Sequence, residues 1–120
     1  MKVQLEFGDT KAVFATLNNT ETAKAFAEAL PVTLHVGSSG MDFCGQIGMR
    51  LPYTESQVHN GWKNGQLNYN PEGGWLAVFY GGEEQSSAYG DQVVMGQLDD
   101  GEIEKLRQLG SSYDLTIKAV

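Results

Sequence analysis

Cysteine, histidine and arginine are scarce in this chain, and each scarcity removes a class of chemistry. The single cysteine, Cys44, cannot form an internal disulfide and cannot build a zinc site. The two histidines, His35 and His59, are far apart in sequence. No metal centre is expected, and no cofactor. Only two arginines, Arg50 and Arg107, could serve a step that needs a guanidinium. Long apolar runs are missing as well. The start, Met1-Lys2-Val3-Gln4-Leu5-Glu6, has no stretch of signal-peptide length. No segment approaches the roughly 18 apolar residues of a membrane span. A soluble, cytoplasmic protein is the expectation. Positive charge is short too: the formal net charge is −7. Nucleic acid and anionic membranes are not expected partners, because both need a basic face. The acidic balance is explained simply by solubility.

What is abundant is glycine, 15 in 120 residues. Such a chain, with regular apolar patterning, needs many tight turns. Its length fits one domain with a core that needs no staples. Val3, Leu5 and Phe7 alternate with polar neighbours, the period of a half-buried strand. After Gly8-Asp9-Thr10, the alternation resumes at Val13, Ala15 and Leu17, which predicts a hairpin. Asn18 precedes Glu21 by three, a capping-box spacing, and Ala23, Phe26, Ala27 and Leu30 form a helical stripe that Pro31 stops. Asn18-Asn19-Thr20 also fits a glycosylation triplet, but a helix cap explains it.

Val32, Leu34 and Val36 predict a strand, followed by a loop from Gly37 to Gly40. Phe43 to Leu51 reads as extended, broken by Gly45 and Gly48. Pro52 to Gly65 reads as an excursion over the surface. A short strand at Gln66–Tyr69 and a turn at Asn70–Gly74 lead into Trp75–Tyr80. That run is apolar on both faces, hence a strand covered on both sides or part of a barrel wall. After a polar loop from Gly81 to Gly90 comes a strand at Gln92–Leu98. Asp99, with Glu102 three residues on, is expected to cap a second helix that stops at Gly110. Tyr113–Val120 makes a last strand, whose Leu115/Ile117/Ala119 face suits pairing with Val3/Leu5/Phe7. The pattern predicts a mainly β, closed or nearly closed, mostly antiparallel barrel of about eight strands with two α-helices over its ends.

Val93-Val94-Met95-Gly96-Gln97-Leu98, a helix to Gly110 and a final strand together resemble the C-terminal third of a cyclophilin. Thr22–Leu30 resembles the cyclophilin helix with a Thr-Ala-x-x-Phe pattern. Gly65-Gln66-Leu67-Asn68-Tyr69 with Ala77-Val78-Phe79-Tyr80-Gly81 looks still more like the short cyclophilin-like domains of prokaryotes. The resemblance spans nearly the whole chain and implies an eight-stranded barrel capped by two helices. It also implies a groove on the barrel wall. In the proline-isomerising members an arginine there stabilises the twisted peptide bond, whose uncatalysed barrier is about 20 kcal/mol.

The chain departs from that pattern at the site. The family's Phe-His-Arg segment is replaced by Gly40-Met41-Asp42-Phe43-Cys44. The pocket's tryptophan, leucine and histidine fall on Ser87, Ala88 and Gln92, and its wall aromatic falls near Ala77. Arg50 is the stand-in for the catalytic arginine, with Gln46 beside it, if the chain isomerises proline. Ligand-binding candidates are Phe43, Gln46, Met49, Arg50, Trp62, Tyr69 and Tyr89. Phe43, Trp75 and Phe79 also suit the core, and Cys44 suits a small buried hydrophobe. Three functions are weighed: a domain that binds a proline-containing peptide or small molecule without efficient catalysis, a prolyl isomerase using Arg50, and an interaction module with exposed Trp62, Tyr69 and Tyr89. The first is favoured, because the scaffold is retained while the pocket residues are changed.

Overall fold

The computed structural model describes residues 1–120. Eight strands carry the fold: β1 Lys2–Phe7, β2 Lys11–Leu17, β3 Val32–Ser38, β4 Asp42–Gln46, β5 Gln66–Asn70, β6 Trp75–Phe79, β7 Val93–Leu98 and β8 Ser112–Ala119. They close into an antiparallel barrel in the order β1-β2-β7-β5-β6-β4-β3-β8. Closure comes from β8, which pairs with β1 on one side and β3 on the other. Val3 faces Ala119, Leu5 faces Ile117 and Phe7 faces Leu115, the pairing expected from the two alternating faces. A barrel wall has an inside and an outside, so period-2 alternation in sequence becomes alternation across the wall. The inward set, including Val3, Leu5, Phe7, Val13, Val36, Leu76, Val78, Leu115 and Ile117, forms one continuous core.

Two helices, α1 Glu21–Ala29 and α2 Ile103–Arg107, add Phe26 and Leu106 to that core. The cap of α1 is Thr20, not Asn18: its hydroxyl accepts the Ala23 N–H at 3.1 Å. Asn18 is used otherwise. Its Oδ1 accepts from the Thr20 N–H and hydroxyl, and its amide donates to the Val94 carbonyl. The second helix is shorter than expected and Asp99 does not cap it. Asp99 instead pairs with Lys2 and accepts from the Thr16 hydroxyl, tying β1 and β2 to the end of β7. Glu102 reaches both ways: one carboxylate oxygen accepts the Phe14 N–H at 2.9 Å and the other pairs with Lys105 of α2 at 2.8 Å.

Two further boundaries differ from the sequence reading. Gly37 and Ser38 continue β3, because they pair with Cys44 and Phe43. Gly45 lies inside β4 rather than ending it, paired with Leu76. The segment from 81 to 90 contains a 3₁₀ helix, Glu83–Ala88. No helix is long and apolar enough to cross a membrane.

Candidate functional site

The site begins with alternation along β4. Phe43 points into the core, so Asp42, Cys44 and Gln46 lie on the outer face. The β4–β6 register sets Asp42 opposite Phe79, Cys44 opposite Ala77 and Gln46 opposite Trp75. Larger residues therefore stand at both ends of this outer strip and two small ones lie between them. The hollow over Cys44 and Ala77 is the floor of a cleft of about 310 Å³.

The excursion after β4 supplies the walls. His59 and Gln92 exchange backbone hydrogen bonds at 3.0 and 2.7 Å, which pins the excursion to the strand before it reaches Trp62. Ser86 Oγ takes the Trp62 N–H at 3.0 Å, and the indole N–H donates to the Gly81 carbonyl at 2.8 Å. The Trp62 ring then lies flat on Phe79, centroids 4.2 Å apart and planes 16° from parallel. Tyr89 tilts against Trp62 at 5.4 Å. Trp75, 42 % exposed, rims the cleft at the other end of β6. Gln92, the residue before β7, lines it as well.

Asp42 is the one acidic or basic side chain in the lining. It is only 8 % exposed, and Ser39 Oγ donates to its Oδ1 at 2.5 Å. Burial pushes its carboxyl above the ordinary range, against hydrogen bonds from Ser39 and Cys44 that pull it down. The Cys44 thiol is pushed up to about 11 by burial and by the neighbouring Asp42 charge. It is therefore protonated near neutral pH and is not an activated nucleophile.

The sequence candidates divide among three places. Trp62 and Tyr89 line the cleft. Gln46, Met49 and Arg50 come together elsewhere, around a more open, polar hollow of about 390 Å³ with Gly48, Gly73 and Gly74. Arg50 Nη1 donates to the Pro71 carbonyl and Gln46 Nε2 to the Gly73 carbonyl, each at 3.2 Å. No residue lines both hollows. Phe43 and Tyr69 belong to the core. Phe43 packs edge-on against Phe7 at 5.2 Å, and the Tyr69 hydroxyl accepts the Leu51 N–H at 3.2 Å. Trp62 is also largely covered, 7 % exposed, so the expected exposed patch of Trp62, Tyr69 and Tyr89 does not form. Trp75, expected in the core, stands at the surface instead.

Sequence reasoning missed Asp42, Cys44 and Trp75 as cleft residues. The signal was their parity: Asp42 and Cys44 share the face opposite Phe43, and Trp75 shares that of Ala77 and Phe79. Of the positions onto which the resemblance carried the pocket, Ala77 and Gln92 do line the cleft. Ser87 and Ala88 are exposed outside it.

Comparison with known proteins places this architecture. The solution structure of the hypothetical protein AF2241 from Archaeoglobus fulgidus superposes with a TM-score of 0.76 at 17 % identity, covering all of this chain and 95 % of that one. McbB, solved in complex with tryptophan, superposes with a TM-score of 0.70 at 14 % identity, covering 98 % of this chain. This chain spans 46 % of McbB. At such identities the likeness is one of fold. No curated protein matches the sequence. Residues 5–118 match the model of a cyclophilin-like family, and the chain belongs to that family.

Proposed function

We propose that this chain binds a proline-containing peptide or a small molecule in the cleft over β4 and β6, without efficient prolyl isomerisation. The observation that carries this reading is a formed, largely apolar cleft with no arginine in its lining. Its floor runs from Phe79 to Trp75, roughly 13 Å at strand rise, the reach of a short peptide or a small organic molecule. Aromatic walls give contact area for little loss of side-chain freedom. The tryptophan complex of McbB, which shares the fold, is in keeping with a small ligand. Arg50 hydrogen-bonds Pro71 at the other hollow, so the cleft lacks the charged donor that a twisted prolyl bond needs. Loss of one such donor costs about 2.7–4 kcal/mol, a hundredfold or more in rate.

The test is an NMR titration of labelled protein with an Ala-Pro-containing peptide and a panel of small aromatic molecules. Shifts are expected at the indole N–H groups of Trp62 and Trp75 and at Gln92, without cis/trans exchange peaks in the peptide. Trp75→Ala is expected to weaken binding about tenfold or more, as loss of an aromatic anchor does, while Arg50→Ala leaves it unchanged. Exchange peaks that vanish in Arg50→Ala would make the chain an isomerase. No shift with any ligand would end the reading.

A further inference from the structure

Asp42 stands out as a charge with no counter-ion. It takes part in none of the chain's ion pairs. Its side-chain hydrogen-bond donors are both neutral: the Ser39 hydroxyl, on Oδ1, and the Cys44 thiol, a weak donor. A buried carboxylate is costly unless paired. Here burial outweighs the local hydrogen bonds, and no cation of the chain stands beside the carboxylate. The carboxylate also lies at the Phe79 end of the cleft, opposite that ring in the strand register. The same cleft is lined by Trp62, Tyr89 and Trp75, rings of the kind that attract cations. No lysine or arginine lines the cleft, and the whole chain carries a net charge of −7. The field over the cleft therefore repels anions and draws cations in.

We infer that the cleft selects ligands bearing a protonated amine, with the Asp42 carboxylate as its counter-ion and the aromatic walls holding the adjoining apolar part. This deepens the function proposed above and rests on it. The amine can belong to a small molecule or to a peptide, as a free amino terminus or a lysine side chain. Both sources offer the same ammonium group beside an apolar body. A neutral ligand of equal shape leaves the carboxylate unpaired and gains only the apolar contact.

Matched probes separate the two levels of inference. 2-Phenylethylamine is compared with 2-phenylethanol, and an Ala-Pro-Ala amide with its N-acetylated form. Binding is followed by the fluorescence of Trp62 and Trp75, the two tryptophans of the chain, and by amide shifts. Each amine is expected to bind about tenfold or more tightly than its neutral partner, the scale of a charge-assisted hydrogen bond. In Asp42→Asn the preference is expected to collapse to within about twofold, with a circular dichroism spectrum like the parent's to show that the variant is folded. A preference seen only with the small amine, or only with the peptide, supports the inference and names the source. Equal binding of amine and neutral probes, or a preference that survives Asp42→Asn, overturns the inference and leaves the cleft as a binding site. Binding of none of the four overturns both.

Discussion

A buried carboxylate without a cation costs stability, and Asp42 shows the sign of that cost. Its folded pKa lies above the ordinary 3.8, with burial as the main cause. The folded state thus holds this proton more tightly than the unfolded state does. Below the ordinary value both states are protonated and the penalty vanishes. As pH rises through the window above 3.8 the folded state must ionise a desolvated group, and stability falls. Asp42→Asn keeps an oxygen for the Ser39 hydroxyl and removes the charge. It is expected to raise the thermal midpoint near neutral pH, with the gain shrinking as pH falls and gone below about 4. Melting curves of both proteins from pH 3.5 to 7.5 check this. A variant less stable than the parent at neutral pH would mean that the carboxylate is already compensated. Ligand selectivity and stability then draw on one feature, because an ammonium that enters the cleft would relieve the penalty that the substitution removes.

Among the elements, β4 matters most, since its outer face carries Asp42 and Cys44 and it meets β3 along the barrel wall. Gly45 allows that meeting. A Cβ at this position would lie 2.0 Å from the His35 carbonyl oxygen, a backbone atom that cannot swing aside. Gly45→Ala is expected to lower the denaturant midpoint by an amount equivalent to about 1–3 kcal/mol or more, with little change in slope. An unchanged midpoint would show that the two strands do not approach so closely. The sequence marked Gly45 as a breaker, which is the usual meaning of glycine in a strand when only local preference is considered. The close approach to His35 is a contact between strands, and no local pattern contains it. The same limit explains the rest. The strands β1, β2, β3 and β8 were legible because each wall residue faces either core or solvent, and alternation records that directly. The cap at Thr20 was misplaced by two residues because Asn18 offers the same chemistry, and only the β7 carbonyl of Val94 draws it away. The cleft was half legible. Trp62 and Tyr89 stood in unpatterned segments and read as site residues. The floor, Cys44 and Ala77, is made of small residues whose meaning depends on facing one another across β4 and β6.

At the scale of the whole molecule, closure makes distant parts of the wall answer to one another. Every strand of the barrel has two neighbours, so no edge is left to fray by itself. Ile117 on β8 is fully buried, paired with Leu5 on one side and Val32 on the other. Its truncation to alanine is expected to cost about 2–5 kcal/mol, a large share of the roughly 5–15 kcal/mol that holds a domain together. The tryptophans report from another part of the wall. Trp75 belongs to β6 and Trp62 lies on the outer face of that strand, which is separated from β8 by β4 and β3. If the wall is one cooperative unit, Ile117→Ala shifts the fluorescence transition as far as the transition seen by far-ultraviolet circular dichroism. Coincident midpoints in urea, both lowered equally from the parent's, are the expected outcome. A fluorescence midpoint that stays at the parent's value while the dichroism midpoint falls would mean that β4, β6 and the cleft fold as a unit of their own. Coincidence would mean that the cleft inherits its shape from the whole ring. Core substitutions far from Asp42 would then weaken ligand binding through the population of folded barrel, without touching the ligand.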